Sequence, residues 1–242
     1  MRQTQAVLFD LDDTLFDYQH CSRRGLIALQ ADYACLQSKT VAELQREHLR
    51  LLNETHAQVM QGALSPQAAH VERFRRLFAS CGQDISTDTT ESARAIYRQA
   101  YEAARRAVPG VIPLLKALRS RRVKLAVVTN NFASEQREKL RACGLESLVD
   151  ALIVSEEIGV AKPDPAIFAA ALETVGCEAG EAAMVGDSWP VDVVGAHGAG
   201  IHQVIWLNRY GLACPDPALA AEIVSFEPLE MVMPLLLNGH DH

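Results

Sequence analysis

The chain carries no long run of lysine and arginine, no Cys-x-x-Cys pair and no apolar stretch near membrane-spanning length. The first absence, with a net charge of −7, removes the electrostatic footprint that a nucleic-acid backbone requires. The second leaves Cys21, Cys35, Cys81, Cys143, Cys177 and Cys214 far apart, as small reduced thiols rather than a disulfide or metal framework. The third joins a start, Met1-Arg2-Gln3-Thr4-Gln5, that leads into a strand-length apolar run and not a signal peptide. Together they give the expectation of a soluble, cytoplasmic protein with no membrane partner. The eight histidines show no metal-ligand spacing, so His197 and His202 read as helix-end or surface residues. What remains, 49% hydrophobic and 22% charged over 242 residues, is ordinary globular composition, long enough for one sizeable core plus an insertion.

What is there begins with acids. Phe9-Asp10-Leu11-Asp12-Asp13-Thr14 follows the apolar run Ala6-Val7-Leu8-Phe9, which reads as a buried parallel strand. A strand ending in acids delivers them to the carboxyl edge of a sheet, where open α/β folds keep their sites. Residues two apart in a strand point the same way, so Asp10 and Asp12 are expected to face one pocket. Two such carboxylates need a cation, a shared proton or a division of labour. Taken alone, the stretch is equally a solvated acidic turn. Asp13 alternates away from the pair and, like Asp17, reads as serving the turn.

After Thr14 the period changes. Leu26, Leu29, Tyr33 and Leu36 recur at helical spacing, as do Val41, Leu44, Leu51, Leu52 and Val59. Val71, Phe74, Leu77 and Phe78 form a third stripe, and Ile96, Tyr97, Ala100, Tyr101 and Ala104 a fourth. Residues 17–107 therefore read as an all-helical unit inserted in an α/β domain made of 1–16 and 108–242. From Pro109-Gly110 the α/β pattern resumes. Helices are expected at 111–118, 134–143, 165–175 (capped by Asp164) and 191–197, and strands at 123–128, 151–154, 183–185, 203–207 and 222–226. Strands alternating with helices imply a Rossmann-like parallel sheet with right-handed crossovers. Leu229, Met231, Val232 and Leu235–Leu237 suit a short docking helix, and the Gly239-His240-Asp241-His242 end is expected to be disordered.

Other strand and loop ends carry chemistry too. Val123 to Val128 ends in Thr129-Asn130-Asn131, Ala161-Lys162-Pro163-Asp164-Pro165 sets a lysine before a helix, and Ala182-Ala183-Met184-Val185 runs into Gly186-Asp187-Ser188 with Asp192 beyond. In this order, Asp-Asp, Thr, Lys and Asp-Asp resemble the four motifs of the haloacid dehalogenase-like (HAD) hydrolase superfamily, over Val7 to about Leu207. The resemblance implies a phosphatase in which Asp10 is the nucleophile and Asp12 protonates the leaving oxygen and then activates water. It implies Mg²⁺ held by the Asp10 carboxylate, the Asp12 carbonyl and Asp187, with Asp192 and Ser188 holding metal-bound waters or the lysine. As a plain structural residue, Asp192 would instead cap the helix that starts beside it. Thr129 and Asn130 would bind the transferring phosphoryl group, with Lys162 stabilising its charge and that of Asp10. With a net charge of −7, attraction for an anionic ester must be local to this site.

The inserted helices resemble a C1-type cap, which in the family closes over the strand ends. An intact Asp12 separates the chain from dehalogenases and phosphonatases, which lack an acid there. Val154 to Pro163 and Trp206-Leu207-Asn208 look most like the branch of pyrimidine 5′-nucleotidases and N-acylneuraminate-9-phosphatases. The expected partner is thus a small phosphate ester such as a nucleoside 5′-monophosphate. A sugar or sialic acid phosphate, a β-phosphoglucomutase-like phosphotransfer and a non-catalytic binding module are the alternatives. Asn131, where those relatives often carry glycine, is a departure that leaves the substrate open.

Overall fold

The structure is a computed structural model describing residues 4–237, with Met60 described by its backbone only; the expected disorder of residues 239–242 lies outside the described residues. Strand β1 (Ala6–Phe9) is followed by helices α1 (Tyr18–Asp32), α2 (Val41–Met60), α3 (Pro66–Ala79), α4 (Thr87–Ala103) and α5 (Val111–Ser120). Then come β2 (Lys124–Thr129), α6 (Ala133–Ala142), β3 (Ala151–Val154), the single-turn α7 (Ser155–Ile158) and α8 (Pro165–Val175). The chain continues with β4 (Ala182–Gly186), α9 (Val194–Gly198), β5 (Gln203–Leu207), β6 (Ala221–Ile223) and α10 (Leu229–Leu237). It divides into two compact units, residues 1–17 with 106–242, and residues 18–105.

The first unit is built on a six-stranded sheet in the order β3-β2-β1-β4-β5-β6, every pairing parallel. Strand β1 lies in the middle, with Phe9 opposite Val127 of β2 on one side and Val185 of β4 on the other. Its Ala-Val-Leu-Phe sequence is wholly buried, as a strand covered on both faces must be. The chain runs outward from β1 to β2 and β3, then returns to build β4, β5 and β6 on the opposite side. The order thus reverses at β1, and such a reversal opens a crevice at the carboxyl ends of the strands. Asp10 is the first residue past that end.

Local signals account for the helix ends that matter to this edge. Asp164 accepts from the Ala166 N–H (2.9 Å), Pro165 opens α8, and Gly176 ends it in the left-handed region. Two elements differ from expectation. The helix expected at 191–197 starts as a widened, π-type turn over Trp189–Val193 and becomes α-helical only at Val194. Strand β6 stops at Ile223, which lies opposite Leu207, the last residue of β5.

The second unit is all helical. A capping box starts α2, where Thr40 N–H donates to Glu43 (2.7 Å) and Glu43 N–H donates to Thr40 Oγ1 (3.2 Å). Gly25 on α1 lies against the Tyr97 ring of α4, closely enough that a Cβ there would overlap the ring. The interior holds a polar group: Tyr97 Oη donates to Ser22 Oγ (3.0 Å), which lies 3.4 Å from His48 Nδ1. The His48 ring packs on Tyr97 and Phe74, and burial, aided by the charges of Arg73 and His70, holds it well below its ordinary value of 6.5.

Candidate active site

The site is assembled at the carboxyl ends of β1, β2 and β4. Asp10 donates its N–H to the Val185 carbonyl (2.9 Å), which continues the β1–β4 ladder one residue further and fixes where its carboxylate leaves the sheet. Burial raises the Asp10 carboxyl to about 7, against the opposing pull of Lys162 and with a further push from Asp192 and Asp12. After Asp10 the chain turns sharply. Asp13 adopts φ 62°, and the Leu11 carbonyl accepts from Leu15 and Phe16. Asp13 and Asp17 belong to this turn: Asp17 accepts from Arg106 (2.6 Å) and Arg209 (3.0 Å), while Asp13 accepts from Tyr210 Oη (3.3 Å).

Lys162 is almost completely buried, and its Nζ donates to Asp10 Oδ1 and Asp192 Oδ1, each at 2.7 Å. Burial by itself would depress this ammonium, but the two carboxylates outweigh it and hold the lysine above its ordinary value. The loop carrying Lys162 is fastened from β2. Asn130 Nδ2 donates to the Lys162 carbonyl and Asn130 Oδ1 accepts from the Lys162 N–H, both at 2.8 Å. The Asn130 side chain thus positions the lysine.

The widened turn after β4 has a structural reason. It brings Asp192 back over the strand end, where its carboxylate accepts from Ser188 N–H (3.0 Å) as well as from Lys162. Gly186 makes room for this, since a Cβ there would overlap the Asp192 carboxylate. Asp187 is braced through its backbone, its carbonyl accepting from Trp206 Nε1 (2.8 Å). Burial and the neighbouring charges of Asp10 and Asp192 raise its carboxyl well above the ordinary value.

Asp10, Asp187 and Asp192 can each offer one oxygen so that all lie within 4.8 Å of one another. Oxygen donors only, carrying more negative charge than one lysine offsets, are the donor set of a hard divalent cation. Burial holds the Asp10 and Asp187 carboxyls up, and the neighbouring acids push them further in the same direction. These residues therefore fit a bound Mg²⁺.

Asp12 turns toward a different set of partners. Its carboxylate accepts from Lys139 Nζ at 2.8 and 2.9 Å and from Gln136 Nε2 at 3.1 Å, and Gln136 Nε2 also donates to Thr129 Oγ1 (2.7 Å). Sequence reasoning passed over Gln136 and Lys139. The available signal was their spacing, since with Ala133 and Leu140 they occupy the buried face of α6.

Residues 4–200 match the family model of haloacid dehalogenase-like hydrolases. The chain belongs to that family. Among curated HAD relatives, glyceraldehyde 3-phosphate phosphatase of Methanopyrus kandleri is 32% identical, the match covering 83% of this chain and 82% of the relative. Pyrimidine 5′-nucleotidase YjjG of Escherichia coli is 29% identical over 87% of this chain and 88% of its own length. In fold the chain is similar to the protein YfnB of Bacillus subtilis, with a TM-score of 0.74, 24% identity, and 96% and 99% of the two chains covered. Among the described residues, no helix is long and apolar enough to cross a membrane.

Proposed function

We propose that this HAD hydrolase is a Mg²⁺-dependent phosphomonoesterase working through an aspartyl phosphate on Asp10. The observation that carries the reading is the convergence of Asp10, Lys162, Asp192 and Asp187 on one buried strand edge, with Thr129 at the end of the neighbouring strand.

Asp10 attacks phosphorus, a new O–P bond forms and the ester P–O bond breaks. Asp12 gives its proton to the departing oxygen, a contribution worth about 10²–10⁴-fold. Asp12 then takes a proton from water, which attacks the same phosphorus and releases phosphate with Asp10 restored. Lys162 holds the Asp10 carboxylate in line and offsets charge on the phosphoryl oxygens, while the Thr129 hydroxyl binds one of them. Asp10, Asp187 and the Asp12 carbonyl would hold Mg²⁺, with Asp192 and Ser188 ordering its waters; when bound, the ion neutralises the charge that would otherwise repel a phosphate dianion.

The substrate class we assign is a small phosphate ester, first a nucleoside 5′-monophosphate, in keeping with the E. coli nucleotidase among the relatives. Similarity to an enzyme named for glyceraldehyde 3-phosphate favours a sugar or triose phosphate as the second reading. Phosphate release from a panel of nucleoside monophosphates, sugar phosphates, sialic acid 9-phosphate and phosphoglycolate with Mg²⁺, using Asp10→Asn as blank, tests both. Preference for pyrimidine monophosphates is the expected result. Release only from other esters moves the substrate, and no release from any member overturns the phosphatase reading.

A further inference from the structure

We infer that Gln136 and Lys139, three residues apart on α6, are positioning residues that together orient the acid–base group Asp12 and the hydroxyl of Thr129. The inference rests on the phosphatase reading above and extends it to two side chains that carry none of the motif positions.

Lys139 is only 1% exposed, so its ammonium has been taken out of water and must be compensated inside the fold. The compensation is Asp12, gripped through both oxygens at 2.8 and 2.9 Å, with Glu135 further off at 3.3 Å. The Phe16 ring lies under the ammonium, its centroid 5.4 Å away. A carboxylate held at both oxygens by one buried cation cannot rotate freely. For a group that must hand a proton to one oxygen of the substrate, orientation is the property that counts.

Gln136 adds direction. Its Nε2 donates to Asp12 Oδ2 (3.1 Å) and to Thr129 Oγ1 (2.7 Å), while its Oε1 is buried with no hydrogen-bond partner among the described residues. A buried unsatisfied acceptor is costly and calls for a reason. While Asp12 is ionised, as it is when it takes a proton from water, turning the amide over would bring Oε1 against its carboxylate, so the orphaned oxygen is the cost of keeping both donors on these two residues. Because Thr129 Oγ1 accepts from Gln136, its own hydrogen is left to donate, which is what binding a phosphoryl oxygen requires.

The test compares kcat/KM for p-nitrophenyl phosphate, whose leaving group departs with little help from an acid, with that for an alkyl monoester, 2-glycerophosphate. The ratio kcat/KM reports only steps up to formation of the aspartyl phosphate, so slow hydrolysis of that species does not blur the contrast. Lys139→Met is expected to lose about 100-fold on the alkyl ester and less than about tenfold on the aryl ester. In an Asp12→Asn background the same substitution is expected to cost almost nothing, because its target is already gone. Equal losses on both esters, or an undiminished loss in that background, would assign Lys139 to packing and overturn the inference. Gln136→Leu carries the same contrast in smaller measure if Lys139→Met fails to fold. A wild-type protein inactive on every ester would remove the phosphatase reading and this inference with it. An active wild type with ester-independent variants removes this inference alone.

Discussion

The Lys162 ammonium stands 2.7 Å from one oxygen of Asp10 and 2.7 Å from one oxygen of Asp192, so one buried cation joins the ends of β1 and the β4 turn. Removing it leaves two carboxylates facing each other out of water. Lys162→Met is therefore expected to lower kcat by at least about 10²-fold, the scale of one lost charge-stabilising donor. It is also expected to destabilise the protein by about 3–5 kcal/mol, as breaking a buried pair does. Steady-state kinetics and urea denaturation of the metal-free protein check the two effects separately.

Metal removal acts on the same cluster from the other side. Chelation is expected to abolish turnover, and added Mg²⁺ to restore it. Asp187→Ala should demand far more Mg²⁺ for half-maximal rate or lose activity altogether. Full activity in chelator would exclude the metal while leaving the fold assignment intact.

Gly186 supplies a test of the widened turn. Its missing side chain is what lets the Asp192 carboxylate reach Lys162, since a Cβ would meet that carboxylate inside contact distance. Gly186→Ala is expected to cost about 1–3 kcal/mol by overpacking. It should also lower kcat, because displacing Asp192 releases Lys162 from one of its partners. An unchanged melting temperature together with an unchanged kcat would mean that the turn relaxes freely.

The helical unit should respond to pH through His48. Its folded value lies well below the ordinary 6.5, so between those two values the unfolded chain binds a proton that the folded chain does not. Stability then rises with pH across that window, and is lost as pH falls below about 6.5 at up to about 1.4 kcal/mol per pH unit. Urea denaturation followed by far-ultraviolet circular dichroism at pH 7 and pH 5 should show the loss in wild type. His48→Gln should show less of it.

Much of this arrangement was legible in the chain because parallel α/β folds carry their chemistry where short apolar runs end. Ala6–Phe9 announces β1, and Asp10 follows it; Val123–Val128, with Thr129 behind it, does the same for β2. Asp164-Pro165 marks the start of α8 and so the loop that holds Lys162. The β4 turn was less legible, since Trp189-Pro190-Val191-Asp192 reads as an ordinary helix start and gives no sign of the widened turn that sets Asp192 against Gly186. Gln136 and Lys139 were passed over because a glutamine and a lysine on a charged helix usually face water. Their position beside Ala133 and Leu140 was the clue, yet only the sheet order, which sets β2 beside β1, brings that face to Asp12. Asn130 has a second task that its place after Thr129 did not announce: its side chain holds the Lys162 backbone.

The most direct test of the account is to trap the phosphoryl group on the enzyme. Wild-type protein turning over a phosphate ester with Mg²⁺ would be quenched in acid, digested and analysed by mass spectrometry. A phosphoryl group is expected on Asp10 and absent from Asp10→Asn, which should also release no phosphate. Phosphate release by Asp10→Asn at the wild-type rate, or a phosphoryl group found on another residue, would contradict it.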